Sequence, residues 1–189
     1  EAAAPEFNSN FISVDVRGSY AYVVDGNGTF RVYDLTDPSG PVAMGTVKVP
    51  GMLDVKVSGN YAYLACGTKG LRVVDISDPN APVLVGADFL ELPGVAQNLL
   101  VRDGFLLVAA GEAGIHMLSM EPNGQLIPVM SFTFGGSTLR LTYDSDGFFY
   151  AANENGGMAM FMLEQYQVYL PKIAQRIPSK VYFPVIKKR

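Results

Sequence analysis

The fold is decided by one stretch of sequence, Gly70-Leu71-Arg72-Val73-Val74-Asp75-Ile76-Ser77-Asp78-Pro79-Asn80-Ala81-Pro82-Val83-Leu84-Val85-Gly86. Its first half is rich in Val, Leu and Ile, which is typical of a strand with at least one buried face. Asp78-Pro79-Asn80 then fits a type I turn, because proline presets φ and an aspartate side chain can accept hydrogen bonds from the backbone N–H groups ahead of it. The stretch therefore predicts a strand, a turn and a second strand.

The same unit occurs several times along the chain. Residues 29–45 align with residues 70–86 without a gap, 41 positions earlier. A weaker copy covers residues 114–124, and a fourth copy begins at Gly157 but loses the turn. Two more predicted strands, joined by a turn signal such as Ser58-Gly59-Asn60, precede each copy. A period of roughly 40 to 45 residues with four short strands is typical of a β-propeller blade.

We therefore expect an all-β protein, a four-bladed β-propeller whose blades are four-stranded and antiparallel. An extended N-terminal arm is predicted at residues 1–11, the propeller at 12–165 and a C-terminal tail strand within 166–189. Four is the smallest usual number of blades, so the count suits a complete ring better than part of a larger propeller, which is the alternative. The blades are predicted at about residues 12–50, 51–93, 94–135 and 136–173.

The repeats resemble the LVIVD repeat, which is named for a consensus close to Leu71-Arg72-Val73-Val74-Asp75. The resemblance extends over about residues 10–165 and is strongest in the first two repeats. It implies a propeller fold. It also implies a secreted or cell-surface protein of a prokaryote, since the repeat is mostly found in such bacterial and archaeal proteins. It says little about activity.

The charge of the chain is unevenly distributed. The net charge is −4, yet the residues after Glu164 carry six basic side chains and no acid, which leaves −10 on the preceding part. An acidic body repels phosphates, so no nucleic-acid partner is expected. An acidic body with a basic tail can instead attract the next copy of itself head to tail.

The start of the chain and its apolar runs bear on where the protein is located. The chain begins Glu1-Ala2-Ala3-Ala4-Pro5, as expected of an N-terminus left by a signal peptidase or of an artificial boundary. No apolar run approaches the ~20 residues of a membrane helix, so no transmembrane segment is predicted.

The end of the chain offers one strand more than four blades require. Residues 168–173 fall where the last strand of the fourth blade is due, and residues 181–186 repeat their pattern 13 positions later. The spare strand could be an extra edge strand or a sorting tail. It could also be added to a blade of the next subunit, which when repeated gives a filament. Strand addition to the next subunit predicts a subunit interface of Val168, Tyr169, Leu170, Val181, Tyr182, Phe183, Val185 and Ile186, with Phe7 and Phe11 from the arm.

No catalytic residue, metal site or cofactor is predicted. His116 is the only histidine and lies in a predicted strand, and Cys66 is the only cysteine, so neither a zinc set nor an internal disulfide is available. Residues 25–29 lack the spaced acids of a calcium loop and read as a hairpin turn. They also make Asn27 a candidate glycosylation site.

The function expected from these features is structural. We expect a non-enzymatic subunit of a secreted filament or surface fibre, which polymerises head to tail by strand addition of a terminal segment. Its partner is itself, with glycans or the cell surface as further candidates. The alternative is a monomeric secreted or cell-surface propeller that acts as a protein or glycan binding module.

Overall fold

The structure, a computed structural model, describes residues 10–164 and 167–169. None of these residues belongs to a helix long and apolar enough to cross a membrane. The strands are β1 (Phe11–Arg17), β2 (Tyr20–Asp25), β3 (Thr29–Asp34), β4 (Val42–Lys48), β5 (Asp54–Ser58), β6 (Tyr61–Ala65), β7 (Leu71–Asp75), β8 (Val83–Leu84), β9 (Asn98–Arg102), β10 (Phe105–Ala109), β11 (Ile115–Met120), β12 (Leu126–Phe132), β13 (Ser137–Tyr143), β14 (Phe148–Glu154), β15 (Gly157–Glu164) and β16 (Gln167–Tyr169).

The strands form four separate antiparallel sheets of four strands, which we call blades 1 to 4. Blade 1 contains β1–β4, blade 2 β5–β8, blade 3 β9–β12 and blade 4 β13–β16, each in chain order across the sheet. The predicted all-β architecture of four-stranded antiparallel blades is confirmed.

The first strand of each blade is its inner strand, and the inner strands lie side by side. β1 packs beside β5, β5 beside β9 and β9 beside β13. Among the described residues no comparable packing joins β13 to β1. The blade count led us to expect a complete ring, but the described residues do not show this closure.

The strand–turn–strand unit that decides the fold has the predicted turn. The Asp78 carboxylate accepts the backbone N–H of Asn80 at 2.9 Å, and the Asp78 carbonyl accepts the N–H of Ala81 at 3.1 Å. In blade 1 the Asp37 carboxylate accepts the N–H of Ser39 in the same way, at 2.9 Å. The side chain of the first turn residue thus fixes the reversal at which the outer strand begins.

Blade 2 also shows why its repeat opens with glycine and contains a buried arginine. Gly70 has φ +85°, and a Cβ there would lie 2.2 Å from the Leu90 carbonyl oxygen, so a side chain is excluded. The Arg72 guanidinium donates to the carbonyls of Gly86 (3.0 Å) and Asp88 and so anchors the loop after the short β8.

Each blade buries apolar side chains against its neighbours. We call the side that packs on the preceding blade the leading face, and the side that packs on the following blade the trailing face. Buried apolar clusters lie between blades 1 and 2, 2 and 3, and 3 and 4. Representative pairs, each a trailing-face residue with a leading-face residue in one cluster, are Phe30 with Val55, Leu71 with Leu99, and Ile115 with Leu141.

Hydrogen bonds also run from blade to blade along the inner strands. The buried Asp54 carboxylate accepts the Ser13 hydroxyl from blade 1 at 2.6 Å. From blade 3 it accepts the Asn98 side-chain amide at 2.6 Å and the Leu99 N–H at 2.8 Å. The Asn98 carboxamide oxygen accepts the Leu141 N–H of blade 4 at 2.8 Å. We call Ser13, Asp54 and Asn98 the inner polar row.

The inner polar row predicts that Asp54→Ala destabilises the protein strongly. Removing the carboxylate leaves the buried Asn98 amide and Leu99 N–H without their acceptor, which should lower the free energy of unfolding by about 3 kcal/mol. The exposed Asp146 offers a matched control, since Asp146→Ala should cost no more than about 0.5 kcal/mol. Urea unfolding followed by circular dichroism measures both. Equal losses in the two variants would contradict the role given to Asp54.

Candidate assembly site on the end blades

On the leading face of blade 1 the inner strand exposes apolar side chains, whereas Ala21, Val23 and Tyr33 on the next two strands are buried. Side chains alternate between the two faces of a strand, so strand register identifies equivalent positions in the blades. Val14 pairs with Val23 in blade 1 as Val55 pairs with Leu64 in blade 2. Val55 is fully buried against blade 1, whereas Val14 is 54% exposed and its neighbour Val16 is 56% exposed.

The trailing face of blade 4 is open in the same way. Met158 pairs with Ala152, as Ile115 pairs with Ala109 in blade 3. Ile115 is fully buried against blade 4, whereas Met158 is 71% exposed. The register predicts that Ile115 and Met158 are both buried. Blade 4 covers Ile115, whereas the described residues contain no further blade to cover Met158.

These two surfaces form the candidate site, and we call them the open faces. Both consist mainly of aliphatic, aromatic and methionine side chains, and both have equivalents that are buried between blades elsewhere in the molecule. The leading open face consists of Val14 and Val16, and the trailing open face of Thr142, Tyr150, Ala152, Met158 and Met160.

The trailing open face carries one charged residue at a position with a defined role in other blades. Arg140 pairs with Ala152, as Asn98 pairs with Ala109. Arg140 is exposed, whereas Asn98 is buried and bonded to the next blade. Blade 4 therefore presents a guanidinium where blades 2 and 3 place the inner polar row.

The structure separates the predicted interface residues. Phe11 begins β1, and its ring packs edge to face on Tyr33, with centroids 6.3 Å apart. Val168 and Tyr169 belong to β16, which pairs with β15 and so occupies the outer position of its own blade. The other predicted interface residues lie outside the described residues: Phe7, Leu170, Val181, Tyr182, Phe183, Val185 and Ile186.

Sequence reasoning missed the open faces, although the signal was present. Val14 and Val16 repeat the pattern of Val55 and Val57, which predicts the same apolar face on blade 1. The repeat period predicts the number of blades, whereas the exposure of a blade face depends on which segment packs on it.

Asn27 and His116 occupy ordinary structural positions. Asn27 is exposed in the turn between β2 and β3, where the Asp25 carboxylate accepts the N–H groups of Asn27 and Thr29, each at 2.9 Å. This geometry explains residues 25–29 as a hairpin turn and leaves the Asn27 side chain accessible to a glycan. The buried His116 ring has Nε2 2.9 Å from the Pro93 carbonyl oxygen.

A cleft of about 420 Å³ lies at the junction of blades 3 and 4. Glu112, Ser137 and Glu154 contribute polar side chains to it, and Gly135 and Gly136 contribute backbone. The two carboxylates favour a cationic group. No cluster of three or more metal-ligating side chains occurs in the part of the chain that the structure describes.

Cys66 is an internal chemical probe for the packing of blades 1 and 2. It is buried in their shared cluster, and burial raises the pKa of its thiol to about 12. Since only the thiolate is nucleophilic, folded protein at mildly alkaline pH should not react with a disulfide reagent such as DTNB. One thiol per chain should appear after unfolding in guanidinium, measured by absorbance. Rapid labelling of the folded protein would contradict the packing described.

Comparison with known families decides the class of this propeller. The LVIVD repeat model matches residues 11–49 and 52–87, which correspond to most of blades 1 and 2. The chain contains LVIVD repeats and has β-propeller blade architecture. The resemblance to the LVIVD repeat is thus confirmed. A comparison with curated proteins gave no match.

Several solved propellers are similar to this LVIVD-repeat protein in fold. A protein from Lactobacillus plantarum is 16% identical with a TM-score of 0.73, over 89% of this chain and 56% of that one. The periplasmic gluconolactonase of Pseudomonas aeruginosa is 21% identical with a TM-score of 0.71, over 85% of this chain and 52% of that one. The computationally designed Ika4 protein is 12% identical with a TM-score of 0.64, over 85% of this chain and 95% of that one.

The lengths of these neighbours differ in a way that bears on the open faces. This chain spans about half the length of the two natural propellers and nearly all of the designed one. Its four blades therefore superpose on a part of each natural ring.

Proposed function

We propose that this protein is a non-catalytic structural subunit of an extracellular fibre, which associates with further copies of itself through its open faces. One observation carries the proposal. Val14 on the leading face of blade 1 and Met158 on the trailing face of blade 4 are exposed, although the equivalent Val55 and Ile115 inside the molecule are buried.

The physical argument is the cost of leaving these faces in water. Apolar surface gains free energy on leaving water, and contiguous exposed apolar patches on soluble proteins usually mark interaction sites. Because Val14 and Met158 belong to opposite faces, one copy can present its blade 4 to the blade 1 of another. Association is then head to tail, as the separation of the acidic body from the basic tail also favours.

The fibre and its location are further parts of the proposal. The second apolar segment at residues 181–186 would link assembled units by strand addition to a blade edge. A location outside the cytoplasm is supported by the setting of one fold neighbour, a gluconolactonase described as periplasmic. The fold is also compatible with catalysis, since that neighbour is an enzyme. That this chain is non-catalytic is therefore part of what we propose.

A binding module is the second candidate, and the cleft between blades 3 and 4 is the observation that favours it. Glu112 and Glu154 would there face a cationic group of a protein or glycan partner. This candidate requires no association between copies, so the two functions predict different states in solution.

The test is the mass and appearance of the full chain in solution. Multi-angle light scattering over a wide range of concentration should give masses above the 20.4 kDa of one chain, and negative-stain microscopy of the concentrated protein should reveal fibres. The burial of two apolar faces provides the driving force. A monodisperse 20.4 kDa species at every concentration would contradict the proposal and favour the binding module.

A further inference from the structure

We propose that the third strand of blade 4 carries a binding site for a soft monovalent cation, Cu(I), whose ligands are the thioether sulfurs of Met158, Met160 and Met162. We call these three residues the methionine row. The inference goes beyond the proposed function, because it concerns a metal site of the single chain. It requires neither a second copy nor a particular number of blades.

The first step is the arrangement of the methionine row on one face of β15. Met158, Met160 and Met162 are alternate residues of this strand, so their side chains lie on the same side of the sheet. Ala159 and Phe161, between them, lie on the other side and are buried in the cluster that blade 4 shares with blade 3. Met158 is 71% exposed, and the other two methionines are half-buried. A metal ion can therefore reach the row from solvent.

The second step is a departure of blade 4 from the repeat. Met162 pairs with the first residue of the second strand of its blade. Asp34, Asp75 and Ser119 do the same in blades 1 to 3. A polar residue near the end of the third strand is thus replaced by a methionine in blade 4. The other blades pack on one another with a polar residue there, so blade packing does not account for the third methionine.

The third step is the chemistry of the donors. Thioether sulfur is a soft ligand that favours Cu(I), whereas Ca²⁺ and Mg²⁺ take oxygen ligands. Alternate residues of a strand are about 6.6 Å apart along it, and the methionine side chain has three rotatable bonds. Met160 can therefore share one ion with either of its neighbours in the row. The clusters that the described residues lack are those of His, Cys, Asp and Glu, which are harder donors than the row.

The fourth step is the aromatic ring beside the row. Tyr150 pairs with Met160 across the sheet, on the same face. The Asp144 carboxylate accepts the Tyr150 hydroxyl at 2.6 Å, which restricts the position of the ring. The π face of an aromatic ring attracts a cation, so Tyr150 can contact an ion held by Met160. The negative charge of Asp144 on the far side of the ring acts in the same direction.

The nearest positive charge on this face sets which part of the row holds the ion. Arg140 and Met158 both pair with Ala152, so the guanidinium is in line with the first methionine of the row. Like charges repel, which favours an ion between Met160 and Met162. Met160 is therefore the central ligand, and Met158 contributes least.

The experiment titrates the full chain with Ag(I), a redox-inert probe for Cu(I) sites, as the nitrate in chloride-free buffer. Methyl NMR of protein with isotope-labelled methionine methyl groups identifies the ligands. Native mass spectrometry counts the ions per chain, in monomers and larger species alike. The test variants are Met160→Leu and Met158→Leu, which nearly conserve side-chain volume.

The matched control is the double variant Met44→Leu with Met130→Leu. These two methionines are partly buried on the outer strands of blades 1 and 3, away from the row. Circular dichroism verifies that every variant folds.

The expected result is one Ag(I) per chain, with shifted methyl signals for the methionine row and unchanged signals for the remaining methionines. Met160→Leu should weaken binding by about 10-fold or more, because loss of a ligand costs at least as much as loss of a ligand's hydrogen-bond partner. Met158→Leu should weaken binding less, and the control should bind as the unmodified chain does. Binding should be equal at neutral and mildly acidic pH, because a thioether has no proton to lose, unlike thiol, imidazolium and carboxyl groups.

Three outcomes would overturn the site. The first is a methionine row whose methyl signals do not respond to Ag(I). The second is equal affinity of Met160→Leu and the control. The third is binding that persists in Met160→Leu and is lost in Cys66→Ala, which would place the ion on the buried thiol. Each result is read per chain, so failure of the metal site leaves the proposed self-association to its own test.

Discussion

The packing of one blade face on the next is the interaction on which this structure depends. Each four-stranded sheet is too small to bury its own apolar side chains, so Leu64 and Leu106, for example, are buried only because a neighbouring blade covers them. The hydrogen bonds of Asp54 and Asn98 also fix how neighbouring inner strands are aligned, because each bond joins a defined residue of one blade to a defined residue of the next. The repeated sequence therefore determines how neighbouring blades pack as well as how each sheet forms.

A repeated interface has a consequence at the ends of the array. Internal blades bury both faces, while blades 1 and 4 each keep exposed side chains at positions where the repeat buries them elsewhere. Val14 and Met158 are the clearest examples. Such an array is completed by closure on itself, by further blades or by another copy.

Much of the fold could be predicted from the sequence, because its determinants are local and recurrent. The Asp-Pro turn at Asp78 and the strand patterns recur at a nearly fixed period, so the four blades and their strand count followed from alignment of the chain with itself. The open faces could not be predicted in this way. Whether β13 reaches β1 depends on the angle between successive blades, which results from the summed packing of many side chains at three junctions. The predicted interface at residues 181–186 rests on pattern alone and remains a prediction.

The central claim is that the trailing open face of one copy is covered by the leading open face of another. Oxidative footprinting with mass spectrometry tests it directly, because Met158 is 71% exposed in a single chain and its thioether is readily oxidised. The account predicts that Met158 is protected in the unmodified protein at high concentration and becomes reactive when Val14 is replaced by glutamate in the same chain. Equal reactivity of Met158 in the two proteins would contradict the account.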